Sequence, residues 1–189
     1  MSNFRTINSC EVCGNLKVEK VLDLGSHVLC DNLKQIGDIS TAEKYPIQVL
    51  FCNKCFTAHQ ACQIKKTLLF PETYHYRARF TKDVINGLNE LAESIEKILG
   101  NLDSKLILDI GCNDGTLLDI FSEKGALTVG IEPTGAYKDA NKKKHIIYNE
   151  YFDKEIISEI KDKNISPDII TFTNVFAHIE DLDNLINNL

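Results

Sequence analysis

Two cysteine pairs, Cys10-x-x-Cys13 and Cys52-x-x-Cys55, have the residue type and spacing that speak most directly of chemistry. Thiolates in such knuckles are donors to tetrahedral zinc, and two knuckles complete its coordination. The gap between the pairs exceeds that of a short zinc ribbon, so a small β subdomain is expected between them. Four cysteine ligands leave no open position for water or substrate. The metal is therefore expected to be structural and to replace core energy that a small domain lacks. Cys30, Cys62, His27 and His59 fall outside the pairs and are expected at core or surface positions. Cys62 in place of one of the four is the lesser alternative.

The second constellation is Asp109-Ile110-Gly111-Cys112-Asn113-Asp114-Gly115, which closes an apolar run and opens a helical one. Glycine lets the backbone bend sharply and lets a ligand lie against it without a Cβ in the way. The helix start beyond offers N–H groups and partial positive charge, suited to a pyrophosphate or an amino-acid carboxylate. Residue types separate the two ligands. A dinucleotide turn wants three glycines, whereas its middle position here is Asn113. A carboxylate at Asp109 repels pyrophosphate but attracts a cationic amino group. Glu132, closing the next apolar run, can accept hydrogen bonds from both ribose hydroxyls. The combination fits S-adenosylmethionine better than NAD, with Asp109, Gly111, Asn113, Asp114, Gly115, Glu132 and the later Asn174 as cofactor-binding residues. The plainer alternative is a structural turn whose glycines only permit tight packing; Glu132 and Asn174 weigh against it. Cys112 reads as a small buried residue, not a nucleophile. Glu150 either reaches an adenine amino group or lies on the surface.

These residues need elements to hold them. Up to about residue 70 the chain shows short strand-like runs, 20–24 and 45–51, punctuated by turn-formers, with too little apolar material for a good core. From Thr81 the apolar residues Val84, Ile85, Leu88, Leu91, Ile95, Ile98 and Leu99 recur at helical spacing. Thr81 suits the N-cap and Gly100 the position past the end. Beyond it the chain alternates, with strands expected at 105–110, 127–132, 145–148 and 168–173 and helices at 115–124, 135–143, 154–161 and 181–189. Strand–helix alternation with continuously apolar strands means a parallel sheet covered on both faces. The organisation expected is a zinc-binding domain over 1–70, a linker and long helix over 71–100, and the start of a cofactor-binding α/β domain over 101–189.

Composition excludes several functions. The net charge of -6 argues against a nucleic-acid surface, and the run Lys142-Lys143-Lys144 reads as a solvated helix end. No apolar run approaches the ~18 residues of a membrane span. Residues 1–8 lack the apolar centre of a signal peptide. The expectation is a cytoplasmic chain acting on a small molecule, with no nucleic-acid or membrane partner. In that compartment thiols stay reduced, so its seven cysteines are metal ligands or buried thiols, not disulfides.

The chain resembles the zinc-containing sugar C-methyltransferases, which methylate nucleotide-linked deoxy-ketosugars. The resemblance runs along nearly its whole length. It is carried by both cysteine pairs, by Val21-Leu22-Asp23-Leu24-Gly25 and by Tyr45-Pro46. It continues through Leu108-Asp109-Ile110-Gly111-Cys112-Asn113-Asp114-Gly115-Thr116-Leu117-Leu118 and ends with Asn174-Val175-Phe176-Ala177-His178-Ile179. It implies an α/β fold: a Rossmann-like class I methyltransferase domain with an incomplete parallel sheet, preceded by a small zinc-binding β-rich domain. It implies S-adenosylmethionine and a structural Zn2+ as cofactors, and a nucleotide sugar as substrate. Tyr74 and Tyr76 fall where the family places tyrosines near the substrate; packing on the long helix is the alternative. His178 falls at the family's acceptor-side histidine, with a helix-cap role as the alternative. Tyr76 and His178 are the candidate catalytic donors to an enolate.

Two departures qualify what the resemblance implies. Four strands are counted where the class I sheet has seven, so the family's main catalytic base and C-terminal domain are expected downstream of Leu189. The stretch Tyr74-His75-Tyr76-Arg77-Ala78-Arg79 replaces the family's serine-rich segment. Its two guanidiniums suit a phosphate or carboxylate on the acceptor, making Tyr74, Arg77 and Arg79 the substrate-binding candidates; solvated flanking arginines are the alternative. An O- or N-methyltransferase of the same build, or a non-catalytic cofactor- and zinc-binding fragment, are the rival readings.

Overall fold

The computed structural model describes residues 3–189, which divide into two compact units: the chain up to Leu69 with Glu180–Asp183, and Phe70–Ile179 with Asn184–Leu189. The first unit holds β1 (Phe4–Thr6), β2 (Glu19–His27), β3 (Tyr45–Cys52), β4 (Thr57–Gln60), β5 (Cys62–Ile64) and the short helix α1 (Lys66–Leu69). The strands expected at 20–24 and 45–51 are thus β2 and β3. β2, β3 and β4 form an antiparallel sheet in that order, and β1 pairs antiparallel with β5. Its apolar core is small: Ile7, Leu50 and Ala61, with Val18 packed against them. All nine residues of β2 are exposed, so Val21, Leu22 and Leu24 meet no core. The β2–β3 register breaks twice, between Lys20 and Leu22 and between Asp23 and Ser26.

The second unit opens with a 3-10 turn (Ala78–Phe80) and α2 (Lys82–Leu99). It continues through β6 (Leu106–Ile110), α3 (Thr116–Glu123), β7 (Leu127–Ile131), α4 (Tyr137–Ala140), β8 (Ile146–Tyr148), α5 (Lys154–Asp162) and β9 (Ile169–Thr171). After a 3-10 turn (Phe176–His178) comes α6 (Leu182–Asn188), of which Leu182 and Asp183 count with the first unit and the rest with the second. The sheet order is β8-β7-β6-β9, all parallel. Alternation along β6 explains its burial. Ile107 joins Leu88, Ala92, Leu117 and Phe121 of α2 and α3 on one face. Leu108 and Ile110 join Val129, Ile131 and Ile156, Ile157 and Ile160 of α5 on the other. Both faces are covered, as a parallel sheet of apolar strands requires. The long helix expected in 71–100 packs here, within the second unit.

Local differences have local causes. Thr81 occupies the N-cap of α2, but its side chain makes no capping hydrogen bond; Gly100, at φ +81°, ends that helix as its position suggests. The helix expected over 135–143 is regular only over Tyr137–Ala140. Past it, Lys143 Nζ turns back to bond the Asp114 carbonyl and the Asp119 carboxylate. No helix among the described residues is long and apolar enough to cross a membrane.

Gly130 in β7 leaves the space that Cys112 fills. A Cβ there would lie 2.5 Å from Cys112 Sγ and 2.9 Å from both Leu118 Cδ1 and Ile147 Cδ1. Gly130→Ala is expected to cost about 1–3 kcal/mol by overpacking, read as a lower midpoint in denaturant. An unchanged midpoint would show that this layer yields more easily than its packing suggests.

Candidate cofactor turn and metal centre

The four paired cysteines converge. Their Sγ atoms all lie within 4.8 Å of one another, with Cys10 and Cys52 buried. Cys10 and Cys55 are 3.5 Å apart and Cys13 and Cys52 3.6 Å. Four thiolates about 2.3 Å from a tetrahedral zinc would stand about 3.8 Å apart, so the donor set fits that ion. Tight turns build the knuckles: Gly14 N–H donates to the Cys10 carbonyl and Phe56 N–H to the Cys52 carbonyl. The Asn15 amide donates to Cys52 Sγ, which draws that thiol below its ordinary range. Thr57 is hydrogen-bonded to Cys55 Sγ. Cys62 lies outside this cluster, buried on β5 opposite Thr6, and burial raises its thiol.

The bend after β6 brings Asp109, Asn113, Asp114 and Glu132 together. Glu132, only 4% exposed, accepts from Asn113 N–H with one oxygen (2.9 Å) and from Thr134 N–H with the other (2.8 Å). The acidic strand end therefore sits against the glycine turn. Asp109, 1% exposed, accepts from the Thr171 hydroxyl at 2.7 Å. Burial pushes its carboxyl up to about 7; Thr171 opposes this, and the Glu132 charge adds to it.

The turn's own groups are used differently from the sequence expectation. The sequence leaves the bare face of Gly111 to a ligand, yet a Cβ there would lie 2.3 Å from Val175 Cγ2; at Gly115 it would meet Ala140. Both glycines also hold left-handed φ, +74° and +76°. Their absence of side chain thus serves the chain's own packing. The N–H groups of Gly111, Cys112, Asn113, Gly115 and Thr116 already have acceptors within the chain. The N–H groups of the bend are thus taken up within the chain, and of the helix's own first turn Thr116 N–H is among them. Asp114, 0% exposed, accepts from Thr116 N–H and hydroxyl and from Arg79, so its carboxylate is engaged within the chain.

Asn113, expected at the cofactor, holds a neighbouring segment. Its Oδ1 accepts from Ala78 N–H and its Nδ2 donates to the Tyr76 carbonyl, each at 3.1 Å. Gly135 N–H donates to the Glu72 carbonyl at 3.0 Å. Residues 72–79 are thereby strapped to the loops after β6 and β7. Arg77, expected to face acceptor phosphate, pairs instead with Asp139 at 3.0 Å and with the carbonyls of Tyr74 and Tyr76. Arg79 pairs with Asp114 and Asp139. Both arginines anchor the strap.

Tyr74 and Tyr76 stand with ring centroids 6.5 Å apart, and Phe70 lies edge-on to Tyr74 at 5.6 Å and to His178 at 5.1 Å. The aromatic strap and the exposed His178 thus share one region. Asn174 is exposed with φ +56°, ahead of that histidine. Glu150 is exposed, and its neighbour Asn149 donates to the Glu132 carbonyl. Sequence reasoning missed Phe70, Thr134, Thr171 and Val175. For Thr171 a signal existed: it faces Asp109 in the β6–β9 register, which follows once the strand order is known.

Two outcomes follow. Elemental analysis should find one zinc per chain, and its removal by a chelator should expose β3 and β4 amides to exchange while those of β6 and β7 stay protected. Unaltered β3 protection without metal would show that the apolar core suffices. Asn113→Gly keeps the left-handed backbone accessible but removes the two hydrogen bonds that Asn113 gives the strap, so the Ala78 amide should exchange about tenfold faster, for about 1.4 kcal/mol lost. Unchanged exchange would place the strap's hold elsewhere.

Residues 10–70 match the family described as "Putative zinc binding domain". A relative in Streptomyces niveus, the C-methyltransferase NovU, is 27% identical over 187 residues, covering 98% of this chain and 44% of the relative. Among solved structures, magnesium protoporphyrin IX methyltransferase (ChlM) from Synechocystis PCC 6803 with bound SAM aligns at TM-score 0.42 and 20% identity, over 57% of this chain and 55% of that one. The plantazolicin methyltransferase BpumL in complex with SAH aligns at TM-score 0.41 and 21% identity, over 56% and 42%. The chain spans about half the length of these relatives. Residues 77–189 match the family described as "Methyltransferase domain", and the chain belongs to that family.

Proposed function

We propose that this chain holds S-adenosylmethionine at the turn after β6 and presents Tyr74, Tyr76 and His178 to an acceptor, as part of a methyltransferase. The observation that carries the reading is the contact of Glu132 with Asn113 N–H at 2.9 Å, which sets a carboxylate beside the bend. Each Glu132 oxygen takes one backbone N–H, leaving further lone pairs for ribose hydroxyls. Asp109 supplies a carboxyl for a cationic amino group. When bound, S-adenosylmethionine supplies a methyl group on a sulfonium, open to in-line attack. Positioning is this chain's contribution; reacting atoms held near 3–3.5 Å can lower a barrier by on the order of 7–11 kcal/mol.

The acceptor proposed is a nucleotide-linked keto-deoxysugar, methylated on carbon. The likeness to a C-methyltransferase, the zinc-ligand cysteines and the aromatic strap support it. A carbon acceptor needs an enolate held by a donor. Burial and the charge of Asp114 hold the Tyr76 phenol above its ordinary range, so it keeps its proton at neutral pH and can donate. A phosphorylated O- or N-acceptor drew its support from free arginines, and Arg77 and Arg79 are both paired within the chain.

Calorimetry on this chain should give micromolar binding of S-adenosylhomocysteine, weakened at least about tenfold, or about 1.4 kcal/mol, by Glu132→Gln. No binding to the wild-type chain would leave only a scaffold role. With a dTDP-ketosugar and the full-length protein, solvent deuterium should enter the carbon beside the ketone; methylation without such exchange would move the methyl to oxygen or nitrogen.

A further inference from the structure

Asp109 is a buried acid that pairs with no cation among the described residues. Its carboxyl is 1% exposed, and among the described residues its side chain accepts one hydrogen bond, from the Thr171 hydroxyl. The groups facing it are themselves acidic or neutral. From the end of β7 comes Glu132, 4% exposed. From the bend comes Cys112, whose thiol burial holds well above its ordinary range and so keeps neutral, with the fully buried Asp114 acting on that thiol in turn. From β9 comes only the neutral Thr171. Arg79 is taken by Asp114 and Asp139. An ionised carboxylate without a counter-charge is costly in such surroundings, and a group in that position neutralises instead.

We propose that Asp109 carries a proton in the ligand-free protein and surrenders it to solvent when a ligand brings an ammonium or sulfonium cation to the turn, so that proton exchange makes the site select cations. The inference rests on the cofactor reading above and adds its charge logic. Glu132 differs from Asp109 in its partners, since each of its oxygens already accepts a backbone N–H. A neutral ligand has no charge to offer in exchange for the proton and leaves Asp109 as it is. Affinity for a cationic ligand therefore rises with pH until Asp109 ionises unaided, then levels off. With the carboxyl raised to about 7, the rise between pH 6 and pH 8 is about tenfold, and about half a proton is released per ligand at pH 7.

Calorimetry on the whole chain, in two buffers of different ionisation enthalpy, counts that proton. S-adenosylmethionine and S-adenosylhomocysteine should each release about half a proton at pH 7. 5′-Methylthioadenosine, which lacks both cationic centres, should release none. Asp109→Asn keeps the side chain's shape and should abolish both the release and the pH dependence. Equal observed enthalpies in the two buffers for S-adenosylmethionine would overturn the proposal, as would undiminished release by Asp109→Asn. Failure of every adenosyl ligand to bind at any pH would overturn the cofactor reading itself, a result distinct from binding without proton release.

Discussion

The carboxylate of Glu132 is the constraint on which the second unit's functional geometry depends. One oxygen fixes the bend after β6 through Asn113 N–H, and the other fixes the loop after β7 through Thr134 N–H. Two loops that parallel strands merely deliver to the same sheet end become a single framework. From it hangs the strap of residues 72–79, tied at Asn113, Asp114 and Gly135. The strap in turn sets Tyr74 and Tyr76, and Phe70 reaches His178. A buried, hydrogen-bonded anion is a rigid support because removing either donor leaves charge unsatisfied in a medium that screens poorly.

Much of this could be read from residue order. Apolar runs bounded by turn-formers located all four parallel strands, because a strand buried on both faces must be apolar throughout. Paired cysteines announced a cluster because few other arrangements use them at that spacing. Less legible was who faces whom. Arg77 and Arg79 look free in sequence, since their carboxylate partners Asp139 and Asp114 lie far along the chain. The glycines at 111 and 115 read alike as ligand cradle or packing space, and the close approach of Val175 and Ala140 to them could not be read from sequence. Helix periodicity foretold α2 well but overextended α4, where Lys143 finds better partners off the helix axis. Local pattern predicts elements; it does not predict long-range polar partners.

The two units solve the problem of stability by different physics. The second buries two apolar layers against a parallel sheet. The first buries little more than Ile7, Leu50 and Ala61, and gathers four thiols. Metal–thiolate bonds act where burial is scarce, because the binding free energy of the ion is folding free energy for the ligands it collects.

The register breaks along β2 have a consequence for self-association. A long outer strand carrying Val21, Leu22 and Leu24 to solvent is the kind of template on which foreign strands grow into fibrils. Each break interrupts the regular row of amide and carbonyl groups, and the charged Lys20 and Asp23 flank the bends. An incoming strand would lose alignment within a few residues, so this margin can keep its greasy side chains in water without seeding amyloid.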